Sequence, residues 1–156
     1  MQLNISTCYA MQIMLYLTRS KKTVSSAELS ENLLISQRYI VHLAGKLRDG
    51  NLIGTKSGMN GGYNLGKLPS AISAYDVITL MEGDMSIPEC VTIIPGCGEP
   101  CKNSNLLDTL NIMKEYLDTY LQTITFDKLA DMNISGHISE ILGLVIAHIN
   151  EMKEKG

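Results

Sequence analysis

Apolar residues along the first fifty positions recur at the spacing of a helix face, and polar or glycine-bearing breaks divide them into three runs. Cys8, Met11 and Leu15 within Thr7–Tyr16 predict a first helix that ends before Lys21-Lys22. Ser25 or Ser26 is placed to cap a second helix with Leu29, Leu33 and Leu34 as its apolar stripe. After a break at Leu34-Ile35-Ser36, Ser36 caps a third helix whose inward positions are Ile40, Leu43, Ala44 and Leu47, and Gly50 ends it. The spacing then changes. Leu52–Thr55 and Tyr63–Leu65 read as short strands around a turn-rich tip at Lys56-Ser57-Gly58-Met59-Asn60-Gly61-Gly62. Helix, helix, short turn, helix, hairpin is the order of a winged helix-turn-helix, in which the third helix enters the DNA major groove. Taken as pattern alone, an ordinary helix pair followed by a β-turn also fits.

The second half has a different rhythm. A helix over Ala74–Met81 leads to Gly83, and residues 84–105 are irregular and rich in proline and glycine. Leu106, Leu110, Met113, Leu117, Tyr120 and Ile124 then form a heptad-like seam that asks for a partner helix. At the usual rise such a helix is about 28 Å long. A second copy of the chain is the expected partner, because two-fold DNA readers need recognition helices about 34 Å apart. The alternative partner is the chain's own last helix, with Ile138, Ile141, Leu142, Val145, Ile149 and Met152 on one face. The expected fold is mainly α with a small β-wing: a winged helix-turn-helix over 1–83, a cysteine-bearing loop over 84–105, and a dimerisation helix with a C-terminal helix over 106–156.

Composition changes this picture in three places. At 156 residues and 45% hydrophobic content the chain holds one domain, or one with an appended element. The apolar stretch Ile141–Ile149 is too short for a membrane span, and the N-terminus lacks a basic-then-apolar leader, so a cytoplasmic protein is expected. Charge is also divided unevenly. Residues 1–67 hold eight Lys/Arg against three acids, whereas residues 68–156 hold five against thirteen. A nucleic-acid binder needs local positive charge to displace phosphate counterions. The candidate DNA-facing set is Gln37, Arg38, Tyr39, His42 and Lys46 on the third helix, Ser25 and Ser36 at the helix starts, and Lys56, Ser57, Gly58, Asn60, Gly61, Gly62 and Tyr63 in the wing. Glycines suit such a tip because they take positive φ and let the backbone approach a phosphate. No phosphate loop, nucleophile–base signature or two-histidine metal motif points to an enzyme.

Four stretches carry a specific likeness: Val24–Ser30, Ile35–Ile40, Lys46-Leu47-Arg48-Asp49-Gly50-Asn51-Leu52-Ile53, and Gly58–Leu65. Together with Ile72–Ile78 and Met81-Glu82-Gly83, they resemble the Rrf2 family of winged-helix repressors, in order across residues 1 to about 130. The resemblance implies a homodimeric regulator, with a repressor as the expectation, that binds a palindromic operator in double-stranded DNA. Family members usually carry an arginine just before the first wing glycine, where this chain has Ser57 after Lys56. The wing grip therefore weakens or passes to Lys56.

Sensing members of that family bind an iron–sulfur cluster through three cysteines in the loop after the wing domain. Cys90, Cys97 and Cys101 lie in the corresponding loop here, and thiolates are soft ligands suited to such a cluster. The resemblance thus implies a 2Fe-2S or 4Fe-4S cluster that senses redox state, nitric oxide or iron–sulfur status. The spacing departs from the family, with six and three intervening residues instead of about five each, and Ser104 stands where some members place a histidine. Another family variant draws a fourth ligand from near the start of the first helix of the other subunit, a place Cys8 occupies by count. Cys8 also reads as a small buried hydrophobe on a helix stripe. A thiol switch, with Cys97 and Cys101 pairing, and a zinc site remain alternatives for the loop, as does control by a partner protein without a cluster.

Overall fold

The computed structural model describes residues 3–58, 60–83 and 105–131, with side chains in the last segment described from residue 108. Of the expected loop over 84–105, residues 84–104 lie outside the described residues, as does the expected C-terminal helix, while Asn105 already belongs to a helix.

Helix α1 spans Ile5–Ser20 and turns Ala10, Ile13, Met14 and Leu17 inward at a helical repeat. It ends at Lys21, whose left-handed backbone (φ 53°) lets its N–H donate to the Leu17 carbonyl. Helix α2 spans Ser26–Leu33, and Ser25 is its cap: Ser25 Oγ accepts from the Glu28 N–H at 3.1 Å. The apolar stripe expected for this helix needs correcting. Leu29 is wholly buried, but Leu34 sits past the helix end at φ 56°, a turn that carries it outward to 92% exposure.

Helix α3 spans Gln37–Asp49 and buries Ile40, Leu43, Ala44 and Leu47, the four positions read from the pattern. Ser36 occupies the cap position but makes no side-chain capping bond. Gly50 follows the helix without a positive φ: its φ is −80°, and the left-handed residue is Asn51. Strands β1 (Ile53–Lys56) and β2 (Gly62–Leu65) pair antiparallel from Ile53 opposite Leu65 to Lys56 opposite Gly62. A short 3-10 turn at Pro69–Ala71 leads to α4, Ala74–Glu82, which a reciprocal Ser73–Asp76 capping box starts.

Helix α5 spans Asn105–Thr123 and a six-residue α6 spans Phe126–Asp131. The turn between them revises the expected seam. Ile124 is not the last knob of the long helix, because α5 stops at Thr123 and the chain turns back toward the wing domain. Thr125 bridges Ser73, the Ala74 N–H donates to the Ile124 carbonyl at 2.7 Å, and the Phe126 N–H donates to the Ile72 carbonyl at 3.0 Å. These bonds deliver Phe126, the chain's single phenylalanine, fully buried into the core formed by α1, α3, Ile72 and Val77. The core beneath α1 and α3 therefore includes a residue far beyond position 83.

Candidate nucleic-acid interface

Helix α3 owes its outward face to its inward one. With Ile40, Leu43, Ala44 and Leu47 buried, the helical repeat places Arg38, Val41, His42, Gly45 and Asp49 on the opposite side, with Lys46 flanking them. Arg38, His42 and Lys46 are all exposed, and none makes an ion pair among the described residues. Arg48 instead folds onto its neighbour Asp49 at 2.9 Å, which takes that charge out of play. Gly45 was not singled out by pattern, yet it sits at the centre of this face, with no protein atom within 4 Å of where a Cβ would stand.

Three members of the expected DNA-facing set have other partners. Tyr39 is half-buried. Its hydroxyl shares a 2.9 Å hydrogen bond with Ser6 Oγ, its ring meets Tyr9 edge-on at 6.0 Å, and it stacks on His42 at 6.1 Å. It fixes α3 against α1 and orients the imidazole beside it. Gln37 Nε2 donates to Ser26 Oγ at 2.8 Å, holding the starts of α2 and α3 side by side. The Ser25 hydroxyl is engaged in its cap, next to a Glu28 carboxylate that takes Lys22 at 3.1 Å and the Tyr16 hydroxyl at 3.2 Å. Partial burial and the Glu28 charge both raise the Tyr16 pKa above its ordinary value.

The wing is tied down at its root and free at its tip. Val24 and Tyr63 exchange a pair of backbone bonds at 2.9 and 2.8 Å, which adds the segment between α1 and α2 to the hairpin as a third edge. That approach explains Gly62: a Cβ there would strike the Val24 carbonyl. Likewise a Cβ on Gly61 would strike the Lys56 carbonyl. These two glycines are required by the chain's own backbone. Gly58 differs. It has φ 108°, open space around it, and lies at the tip with exposed Ser57 and Asn60. Lys56 is exposed beside them without an ion pair among the described residues.

Glu82, the last residue of α4, fastens the end of that helix to the start of α1. Its carboxylate accepts from the Asn4 N–H at 2.8 Å, Asn4 Nδ2 at 2.6 Å and the buried Thr7 hydroxyl at 2.5 Å. The Thr7 and Asn4 bonds hold its pKa below the ordinary glutamate value, against a smaller opposing effect of burial. Cys8 lies in the turn of α1 that this carboxylate clamps and is half-buried. Cys90, Cys97 and Cys101 lie outside the described residues. Among the described residues no group of three or more His, Cys, Asp and Glu side chains is arranged to hold a metal ion, and no helix is long and apolar enough to cross a membrane.

A three-helix core, an outward cationic helix and a tethered hairpin define a winged helix-turn-helix DNA-binding protein. The Rrf2 family model, that of an iron-dependent transcriptional regulator, matches residues 3–132. This chain belongs to that family and is a DNA-binding transcriptional regulator. It is 29% identical over 121 residues to the HTH-type transcriptional regulator CymR of Bacillus subtilis, covering 76% of this chain and 85% of that one. It is 31% identical over 144 residues to the HTH-type transcriptional regulator IscR of Klebsiella pneumoniae, covering 87% and 86%. The solved structure of CymR, the global cysteine regulator of B. subtilis, superposes with a TM-score of 0.69 at 25% identity over 84% of this chain and 97% of that one. These relatives are regulators, not enzymes.

Proposed function

We propose that the protein is a homodimeric repressor that reads a palindromic operator with α3 and the wing, and whose grip on DNA is set by an iron–sulfur cluster. The DNA-facing residues in this reading are Arg38, His42 and Lys46 on α3, with Lys56, Ser57, Gly58 and Asn60 at the tip. Ser36, whose hydroxyl makes no capping bond, stands at the start of the same helix. The cluster ligands are Cys90, Cys97 and Cys101, with Cys8 of the partner subunit as the fourth. The observation that carries the cluster is the donor set: three thiols lie between α4 and α5, in a chain whose family model is that of an iron-dependent regulator.

When bound, the cluster would supply a redox-sensitive centre at the junction of wing domain and long helix. The chain's own part is mechanical. Glu82 binds the first turn of α1 to the end of α4, next to the cysteine segment, so a displacement there bears on α1 and through the Ser6–Tyr39 bond on α3. Homodimer formation is supported by α5, where Ile112 and Met113 are 53% and 61% exposed. The cytoplasm is the compartment in which such a regulator meets DNA.

Anaerobic purification tests the cofactor: a brown protein with visible absorbance and bound iron, lost in Cys97→Ala with the fold intact, is the expected result. A colourless, iron-free protein after reconstitution refutes it. The second reading is a repressor controlled by thiol oxidation or by a partner protein, favoured by the similarity to CymR, the cysteine regulator. That reading predicts DNA binding that responds to oxidant or to the partner without iron.

A further inference from the structure

One cavity in the wing domain is lined by no residue of the recognition helix among the described residues. It has a volume of about 940 Å³ and lies between the C-terminal end of α1, the wing and α6. That size falls within the usual range of small-molecule sites. Its lining combines two chemistries. Leu17, only 2% exposed, with Leu65 and Pro69 gives it an apolar inner surface. Arg19, Lys21, Lys22, Lys56 and Lys67 bring five cations to its edge, against two carboxylates, Asp127 and Asp131. Lys22 is neutralised by Glu28, but Arg19, Lys21, Lys56 and Lys67 make no ion pair among the described residues. Asp127 makes no ion pair with these four among the described residues; it accepts from the Thr125 hydroxyl, which holds its pKa below the ordinary aspartate value.

Four exposed cations without an ion pair among the described residues thus border an apolar recess. Lys56 stands beside the wing tip as well, where it is placed to meet DNA, but the recess itself has the wrong shape for a duplex, which presents a convex row of phosphates. A compact anion fits a hollow bordered by cations.

We propose that this cavity is an effector site for a small organic polyanion, a di- or tricarboxylate or a phosphorylated metabolite. Binding there bears on DNA recognition because the lining joins α1 to the wing. Lys56, Asn64 and Leu65 belong to β1 and β2, and Lys21–Thr23 precede the Val24 bridge that anchors the hairpin. An anion drawing Arg19 and Lys21 toward Lys56 and Lys67 fixes the hairpin against α1. By linkage, DNA that prefers one wing position and the anion then alter each other's affinity by the same factor.

The test uses the full chain with citrate and with pyrophosphate as probes, and acetate at matched ionic strength as the monoanion control. A bound probe at about ten times its Kd raises Tm by roughly 3–6 °C. The expected result is a saturable rise with citrate or pyrophosphate, absent with acetate and lost in Arg19→Ala/Lys67→Ala but kept in Lys46→Ala. Citrate alone identifies the carboxylate source, and pyrophosphate alone the phosphate source. No saturable rise with either probe overturns the proposal. So does an equal rise with acetate, or a rise that survives in the double variant. If Arg19→Ala/Lys67→Ala leaves the anion response unchanged and instead lowers affinity for duplex DNA, the cations belong to the DNA interface and the effector site is refuted. A circular-dichroism spectrum matching wild type confirms that the variants fold.

Discussion

Helices α3 and α5 are both amphipathic, and they use that property in opposite ways. In α3 the apolar side is fully covered by the chain's own core, and what faces outward is Arg38, His42 and Lys46. In α5 the outward side includes Ile112 and Met113, while the polar pair Lys114–Asp118 is partly buried, at 2.6 Å. A helix that has already buried its apolar face is free to present charge to a ligand. A helix that has not is still looking for protein surface. In the proposed function the first is the reader and the second the junction between copies.

The most damaging change to the reader is remote from it in sequence. Phe126→Ala removes a fully buried ring from the core that supports α1 and α3, and is expected to cost about 3–5 kcal/mol, read as a lower denaturant midpoint. If that variant unfolds like wild type, the chain's return after α5 is not part of the domain. On the junction side, Met113→Asp is expected to weaken the dimer by about 10- to 100-fold, from roughly 1.5–3 kcal/mol for one large apolar side chain, with little change in the fold. Sedimentation equilibrium measures it, and an unchanged association constant would make α5 an ordinary surface.

Smaller effects separate the two helices more finely. Gly45→Ala is expected to stabilise α3 by about 0.5–1 kcal/mol, since a methyl there meets no protein atom. The same change is expected to weaken DNA binding, because the bare position lies at the centre of the outward face. A variant that is stabler and binds equally well would place DNA elsewhere. Glu82→Gln is the mildest and shows a pH signature. A carboxylate whose folded pKa lies below its ordinary 4.5 stabilises fully above that value and loses its contribution as pH falls through the lower folded value. The Tm deficit of the variant is therefore expected at neutral pH and fades in acid. A deficit independent of pH would mean that the clamp works by shape alone.

Much of the fold was legible because burial tracks the helical period. Ile40, Leu43, Ala44 and Leu47 announce the inward face of α3 without any knowledge of what covers it, and the order of elements does the rest. Phe126 was not legible for the converse reason. It stands alone in a short segment, and its burial depends on backbone bonds between 72–74 and 124–126 that no local pattern encodes. The same non-local pairing drew Ile124 off the seam that its heptad position suggested. The glycines of the wing illustrate a subtler limit. Their presence marks a tight hairpin, but only the position of Val24 reveals that Gly62 is needed inside the protein, while Gly58 faces outward. Side-chain partners were likewise beyond pattern: Tyr39 looks like a base contact until Ser6 and Tyr9 are placed against it.

That the outward face of α3 reads DNA is a claim open to fluorescence anisotropy with a labelled duplex from upstream of the protein's own gene. Wild type, Arg38→Ala and Lys46→Ala are titrated across a range of salt concentrations. The expected result is salt-dependent binding, an affinity loss of roughly 1–3 kcal/mol for Arg38→Ala, and a salt slope reduced by about one for Lys46→Ala. Wild-type affinity and slope in both variants would contradict the claim.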